Sequence, residues 1–285
     1  MKRLVLAVLL VAAVLAHGQE RIRDVIYMKK GGCAFTLDVF KPANPSHRAV
    51  VYIISGGWFS SHDNIDPGAA KAFTDKGFTV FEVVHGSQPK FTIPEIVPMI
   101  RRAVRFIRYN AATYGIDPNA IGVTGSSAGG HLSLEVAGLG DDGDTSAKDP
   151  VDKVSSRVQA VVAFFPPTDF LNWGADGVTP IGNPAMAIFM PAFGVNAQTP
   201  EDKQKQIGYD DSPIHLVKSG FPPTLIIHGD SDQLVPVQQA HKIDAAFEAA
   251  GVTHKLIISP GTGHDGKTIA YGFPACLDWF ELNLK

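Results

Sequence analysis

From residue 23 onward, short apolar runs alternate with longer stretches in which apolar residues recur every three or four positions. The short runs predict strands at 25–28, 35–40, 50–55, 79–84, 121–124, 160–165, 224–228 and 255–258. The longer stretches predict helices at 67–76, 94–114, 129–139, 237–250 and 267–284. The last six strands are almost continuously hydrophobic, as strands covered on both faces are. The alternation predicts an α/β fold with a mostly parallel eight-stranded sheet and helices on both faces.

One segment, residues 168–220, interrupts this alternation after the sixth predicted strand. It is rich in Pro, Gly and Asn. Its large apolar side chains are Trp173, Met186, Phe189, Met190 and Phe193. A long segment without a regular pattern is typical of an insertion, and such insertions often carry function. We expect this inserted segment to be either a wall of the active site or a packed surface appendage.

Charged residues are concentrated in one helix and one loop. The predicted helix 94–114 has an apolar stripe, and four arginines lie mostly off it: Arg101, Arg102, Arg105 and Arg108. This arrangement predicts a solvated face rather than a basic binding site. A later loop carries Asp141, Asp142, Asp144 and Asp149. Because their spacing lacks the glycine and terminal glutamate of a calcium loop, we expect a solvated loop there.

The first 18 residues have the pattern of a secretory signal peptide. Two basic residues precede the unbroken apolar run 4–16, and small residues follow near Ala16 and Gly18. As a helix this run would be about 20 Å long, whereas the hydrocarbon core of a bilayer is roughly 30 Å thick. The length favours a cleaved signal over an uncleaved anchor. We expect cleavage after Ala16 or Gly18, a mature domain at 19–285, and a secreted or periplasmic location without stable membrane insertion.

Composition narrows the class of protein further. The chain of 285 residues is 45% hydrophobic and 19% charged, which excludes disordered and collagen-like classes. With 25 Lys and Arg against 28 Asp and Glu, no positive surplus is present to neutralise phosphates, so a nucleic-acid partner is not expected. The two cysteines, Cys33 and Cys276, are far apart in sequence, and we expect two buried thiols rather than a disulfide.

A candidate nucleophile lies between the fifth predicted strand and the helix that follows it. The sequence Gly125-Ser126-Ser127-Ala128-Gly129 has the form G-x-S-x-G. In a strand–turn–helix setting, this motif holds its serine in a strained turn at the carboxyl edge of the sheet. We therefore predict that Ser127 is a nucleophile.

A serine nucleophile needs a base, and the base needs an acid that orients it. The predicted strand 224–228 leads into Asp230 and Asp232, and the predicted strand 255–258 leads into His264. The order serine, aspartate, histidine is the one that this fold class requires. We predict His264 as the general base, and we expect His228 and His131 to be packed, hydrogen-bonded residues.

The tetrahedral intermediate that a serine nucleophile forms needs N–H donors aimed at its oxyanion. Ser55-Gly56-Gly57-Trp58 begins at the last residue of the predicted strand 50–55, where a glycine-rich loop can bring backbone amides toward Ser127. We predict that Gly57 and Ala128 are the donors, with Gly56 or Trp58 as a further candidate. Trp58 and Ser126, the sequence neighbours of these groups, are predicted to contact the substrate.

Five segments together resemble those of α/β-hydrolase esterases of the acetyl-esterase and feruloyl-esterase-like (BD-FAE-like) group. They are residues 51–58, 125–132, 166–169, 212–214 and 228–236. The resemblance implies an α/β-hydrolase fold and hydrolysis of short-chain acyl or hydroxycinnamoyl esters, including carbohydrate-linked ones, through an acyl-serine. The resemblance implies that no cofactor is needed, and we expect no metal. It also implies that the second aspartate of the H-G-D-x-D turn, Asp232, is the acid that orients the histidine. One departure is that the family's H-G-G-G-W reads Ile-Ser-Gly-Gly-Trp at 54–58.

Three other functions fit parts of the sequence. Residues 261–268 match the phosphate-binding loop G-x-x-x-x-G-K-[ST], but too few residues follow for a strand that carries a magnesium-binding aspartate. A serine peptidase of the prolyl-oligopeptidase type shares the fold and residue order, although such enzymes generally carry a large N-terminal domain. A non-catalytic binding protein would lack a member of the Ser–His–Asp set, and none is missing.

Overall fold

A computed structural model describes residues 20–285, and the predicted signal peptide lies outside the described residues. The strands are β1 Glu20–Lys30, β2 Cys33–Lys41, β3 Ala49–Ile54, β4 Thr79–Val84, β5 Ile121–Ser126, β6 Ala160–Phe164, β7 Thr224–Gly229 and β8 His254–Ser259. The helices are α1 Pro67–Thr74, α2 Ile93–Tyr109, α3 Ala111–Tyr114, α4 Ala128–Gly138, α5 Glu201–Asp210, α6 Gln238–Ala249 and α7 Gly266–Asn283. Within 20–285, no helix is both long enough and apolar enough to cross a bilayer.

The strands form one sheet in the order β1-β2-β4-β3-β5-β6-β7-β8. The first strand pairs with the second, and the second with the fourth, in antiparallel fashion, whereas every other pair is parallel. The mostly parallel eight-stranded sheet is therefore confirmed. Because β3, β5, β6, β7 and β8 are parallel, the loops that follow them meet at one edge of the sheet, where open α/β sheets bind ligands.

The hydrophobic core covers both faces of the sheet. On β3, Val51 belongs to the cluster that contacts α2, α4 and α6, whereas its neighbour Val50 belongs to the cluster that contacts α1 and α7. Successive residues of a strand point to opposite faces, so a strand buried on both faces is apolar at every position. This explains the uninterrupted apolar runs in the sequence.

Three elements differ from their predictions. The first strand spans Glu20–Lys30 rather than 25–28, and most of its side chains are at least partly exposed because it lies at the edge of the sheet. Inside the inserted segment, α5 and a 3₁₀ helix at Pro184–Phe193 form where no helix was predicted. The helix α5 buries only Gly208, so it has no apolar stripe to reveal it in the sequence.

The arginines of α2 and the acidic loop after α4 form ion pairs with each other, which the sequence did not predict. Asp141 and Asp149 are 47% exposed, as expected for a solvated loop, whereas the paired arginines are only 11–21% exposed. Arg101 and Arg105 both contact the carboxylate of Asp141. Arg102 lies 2.6 Å from the carboxylates of both Asp149 and Asp152. The loop therefore closes over one face of α2.

The two cysteines are unpaired, as predicted. Cys276 is buried in α7, whereas Cys33 is partly exposed rather than buried, and the ammonium of Lys90 lies 3.1 Å from its sulfur. The prediction of two buried thiols therefore holds for Cys276 alone.

Candidate active site

Ser127 occupies a sharp turn between β5 and α4. Its backbone has φ 53° and ψ −121°, a strained conformation for a residue with a side chain. Glycines make room for this turn: a Cβ at Gly125 would lie 2.5 Å from the carbonyl carbon of Gly129, and one at Gly129 would lie 2.8 Å from the Ile53 carbonyl oxygen. The G-x-S-x-G motif is thus required by close backbone contacts on both sides of Ser127.

Three side chains from three loops form one hydrogen-bonded chain. The Nε2 atom of His264 lies 2.8 Å from Ser127 Oγ, and its Nδ1 atom lies 2.7 Å from Asp232 Oδ2. The ring of Phe165 packs against the imidazole with 4.4 Å between centroids. His264 Nδ1–H donates to the carboxylate, which leaves Nε2 free to accept the serine proton.

Asp232 is held as a carboxylate in a buried position. Its Oδ1 atom accepts hydrogen bonds of 2.9 Å from the backbone N–H groups of Leu234 and Val235. Burial alone would raise the pKa of this carboxyl, but hydrogen bonds from His228, His264 and the Val235 amide hold its pKa well below the usual range. The group that orients His264 is therefore charged at neutral pH.

The loop after β3 brings backbone amides next to Ser127. Gly56 and Phe59 exchange backbone hydrogen bonds of 3.0 and 2.9 Å across a tight turn, so the N–H of Gly56 is already used. Within residues 20–285, the N–H groups of Gly57 and Ala128 donate to no protein acceptor, and both residues line the pocket at Ser127. The geometry keeps Gly57 and Ala128 as candidate donors and corrects the prediction for Gly56.

An apolar pocket opens beside Ser127. The inserted segment supplies much of its wall, through Phe170, Trp173, Met186, Phe189, Met190 and Phe193. Trp58, predicted to contact substrate, lines the pocket as well, and its indole N–H donates to His131 Nδ1 at 3.2 Å. No charged side chain is among the described residues that line this pocket.

Comparison with known proteins identifies the family. The BD-FAE family model matches residues 37–247, most of the chain. The chain belongs to the BD-FAE family. Both Ser127 and Asp232 lie inside the matched range, and His264 follows it.

This BD-FAE chain is similar to several curated esterases. The probable carboxylic ester hydrolase LipM of Mycobacterium tuberculosis is 31% identical over 164 residues, which are 58% of this chain and 36% of LipM. The esterase LipC of the same organism is 28% identical over 235 residues, which are 80% of this chain and 56% of LipC. The chain therefore spans between 36% and 56% of the length of these two relatives.

Solved structures establish the α/β-hydrolase fold of this BD-FAE chain. A truncated form of a carbohydrate esterase from gut microbiota has a TM-score of 0.78 at 27% identity, covering 93% of this chain and 96% of that chain. A thermophilic esterase of the planctomycete Thermogutta terrifontis has a TM-score of 0.69 at 23% identity, covering 92% and 90% of the two chains. The second similarity concerns the fold alone.

Three other residues of this BD-FAE chain that the sequence singled out lie outside the pocket lining. Ser126 is the last residue of β5 and lies outside the pocket lining. His228 is buried, and its Nε2 atom lies 2.9 Å from the Val235 carbonyl oxygen, as expected for a packed histidine. Asp230 accepts from the N–H of Gly261 at 2.8 Å, so it supports the histidine loop while Asp232 contacts the histidine itself.

The segment that matches a phosphate-binding loop is built differently from one. The carboxylate of Asp265 accepts from the N–H groups of Lys267 and Thr268 at the start of α7. In a phosphate-binding loop, N–H groups at this position donate to the phosphate. A carboxylate already occupies this helix end, and the neighbouring His264 is directed at Ser127.

Proposed function

We propose that this chain is a carboxylic ester hydrolase that works through an acyl-serine intermediate on Ser127. The observation that carries the proposal is the hydrogen-bonded chain from Ser127 Oγ through His264 to Asp232, beside an apolar pocket. The esterase relatives and the carbohydrate esterase structure support it. The matched residues of the family include the proposed nucleophile and the proposed acid.

The proposed reaction has two halves. Ser127 Oγ attacks the ester carbonyl carbon while His264 Nε2 takes the hydroxyl proton, and Asp232 stabilises the imidazolium. The N–H groups of Gly57 and Ala128 stabilise the oxyanion. His264 then returns the proton to the leaving alcohol, and the acyl group stays on Ser127. In the second half, His264 activates a water molecule that releases the acyl group as a carboxylic acid.

The pocket lining supports an uncharged acyl group. A carboxylate placed among Phe170, Met186, Phe189 and Met190 would lose its hydration without gaining a partner, which is costly. Short aliphatic and hydroxycinnamoyl groups satisfy this requirement. The carbohydrate esterase structure and an acetylxylan esterase relative, 31% identical over 141 residues, support a carbohydrate alcohol.

A matched pair of substrates tests this assignment. The p-nitrophenyl esters of butyrate and of hemisuccinate have acyl chains of equal length, but the second ends in a carboxylate. We expect kcat/KM for the butyrate ester to be at least ~100-fold higher, because about 3 kcal/mol or more is needed to bury an unpaired charge. Methyl ferulate and acetylated xylan extend the panel to hydroxycinnamoyl and carbohydrate esters.

The same panel includes the controls. Ser127→Ala should lower kcat for the butyrate ester by several orders of magnitude. Unchanged hydrolysis by that variant would refute the acyl-serine mechanism. A peptide p-nitroanilide measures the competing peptidase activity, and turnover of the anilide faster than of every ester would assign the chain to the peptidases instead.

We also propose that the protein is exported. The basic start, the apolar run 4–16 and the small residues that follow support a cleaved signal peptide. Expression with the native N-terminus should yield a mature chain in the periplasm or medium that begins just after Ala16 or Gly18. Intact-mass measurement checks this, and a mature protein that still begins at Met1 would contradict it.

A further inference from the structure

Trp58 has an unusual backbone conformation for a large residue. Its φ is 61°, in the left-handed region that side chains disfavour, and it follows Gly57, one of the proposed oxyanion donors. Trp58 is 4% exposed, and its indole packs against several aromatic rings, including Phe193 at 5.1 Å between centroids. Such a conformation persists only where surrounding contacts hold it.

One contact on the indole is a buried hydrogen bond. Trp58 Nε1–H donates to Nδ1 of His131 at 3.2 Å, and the two rings meet edge to face with 5.5 Å between centroids. His131 is fully buried in the first turn of α4, where its backbone N–H donates to the Ser127 carbonyl. The histidine therefore connects the helix that starts at the nucleophile to the loop that carries Gly57.

The other ring nitrogen fixes the tautomer of His131. Its Nε2 atom lies 2.8 Å from the backbone carbonyl oxygen of Asp211, an acceptor, so Nε2 carries the proton and Nδ1 presents a lone pair to Trp58. Burial lowers the pKa of His131 to about 4, which keeps the ring neutral at neutral pH. The carboxyl of Glu135, on the same helix, lies 3.9 Å from Nε2, and burial raises the pKa of this carboxyl, which favours its neutral form.

We propose that His131 is a positioning residue that acts through Trp58 to hold the Gly57 amide in place for the oxyanion. The inference rests on the proposed ester hydrolysis. His131 is not among the described residues that line the pocket, so it acts without touching substrate. Gln88 provides a separate support for the loop, because its Nε2 donates to the Gly57 carbonyl at 2.6 Å.

Four variants test the connection. Trp58→Phe keeps an aromatic ring but removes the donor, and His131→Leu removes the acceptor. We expect each to lower kcat for p-nitrophenyl butyrate by ~10- to 100-fold while KM changes less than about threefold, since the oxyanion forms after binding. The double variant should be no slower than the slower single variant, because one hydrogen bond accounts for both losses. His131→Asn keeps an acceptor near the Nδ1 position and should recover part of kcat.

A second readout separates positioning from stability. A trifluoromethyl ketone inhibitor forms an oxyanion on the serine, so its Ki should rise by the factor by which kcat/KM falls. Ser133→Ala is the matched control, because the hydroxyl of this buried serine on the same helix donates to the Gly129 carbonyl and has no other side-chain hydrogen bond within residues 20–285. It should leave kcat unchanged even if it lowers the free energy of unfolding.

The outcomes separate this inference from the proposed function. If wild type cleaves no ester, the proposed function itself fails. If wild type cleaves esters, Ser127→Ala does not, and His131→Leu has the wild-type kcat per folded molecule, the positioning role is overturned. Additive losses in the Trp58→Phe and His131→Leu pair would overturn it too. If His131→Leu does not fold, Trp58→Phe and His131→Asn decide by the same kcat and Ki measurements.

Discussion

Glu82 is a buried carboxyl whose replacement should make stability less dependent on pH. It lies on β4 and is fully buried. Its Oε2 atom accepts from the N–H of Asp66 at 2.8 Å, and its Oε1 atom has no partner among the described residues. Burial is the main cause that raises the pKa of Glu82 to about 8; the Asp66 amide and Arg21 oppose this rise, and the carboxylates of Asp66 and Asp38 add to it.

The sign and size of the effect follow from this raised pKa. In the unfolded chain the carboxyl has its ordinary pKa of 4.5. Between pH 4.5 and about 8, Glu82 keeps its proton in the folded protein but releases it in the unfolded chain. The contribution of Glu82 to the free energy of unfolding is therefore fully present below pH 4.5 and is lost as pH rises through this window. At about 1.4 kcal/mol for each pKa unit, the loss reaches about 5 kcal/mol above pH 8. This loss is a large part of the free energy of unfolding of a typical domain, which is about 5–15 kcal/mol.

The test compares wild type with Glu82→Gln, which is neutral at every pH. Urea unfolding followed by circular dichroism at pH 5, 7 and 9 gives both free energies of unfolding. We expect the free energy of unfolding of the variant, relative to that of wild type, to rise by several kcal/mol from pH 5 to pH 9. The other titrating groups are common to both proteins, so their effects cancel in this difference. Glu248→Gln, at an exposed position of α6, is the control and should show no such gain. A difference between wild type and Glu82→Gln that stays constant with pH would refute the reasoning.

Two further predictions concern the turn at the nucleophile and the ion pairs over α2. Gly129→Ala places a Cβ 2.8 Å from the Ile53 carbonyl oxygen, so the turn must shift. We expect kcat/KM for p-nitrophenyl butyrate to fall ~100-fold while the circular dichroism spectrum stays unchanged. A wild-type kcat/KM would contradict this prediction. Asp141→Asn removes the partner of Arg101 and Arg105, but Asp141 is 47% exposed, so we expect a loss of only about 1 kcal/mol in urea unfolding. The loss should shrink in 1 M NaCl, and a loss independent of salt would count against the ion pairs.

The sequence predicted the parallel sheet and the residues at its carboxyl edge for the same physical reason. Strands buried on both faces are apolar at each position, so their ends are easy to locate. Ser127, Asp232 and His264 follow β5, β7 and β8, and parallel strands bring those ends to one edge. The structure places His264 within hydrogen-bond distance of both Ser127 and Asp232.

The contacts that the sequence did not reveal join distant residues or depend on local geometry. Trp58 and His131 are 73 positions apart, and no periodic pattern marks their hydrogen bond. Arg101 and Asp141 are separated by 40 positions, so each charged group was interpreted by itself. The N–H of Gly56 is used within its own turn, which only the backbone conformation shows.

The most direct test of the central claim is to locate the covalent intermediate. Wild type and Ser127→Ala are each treated with a fluorophosphonate, digested and sequenced by mass spectrometry. We expect wild type to carry the adduct on Ser127 and to lose esterase activity in proportion to labelling, and Ser127→Ala to remain unlabelled. An adduct on another residue, or full ester hydrolysis by protein labelled at Ser127, would contradict an acyl-serine mechanism.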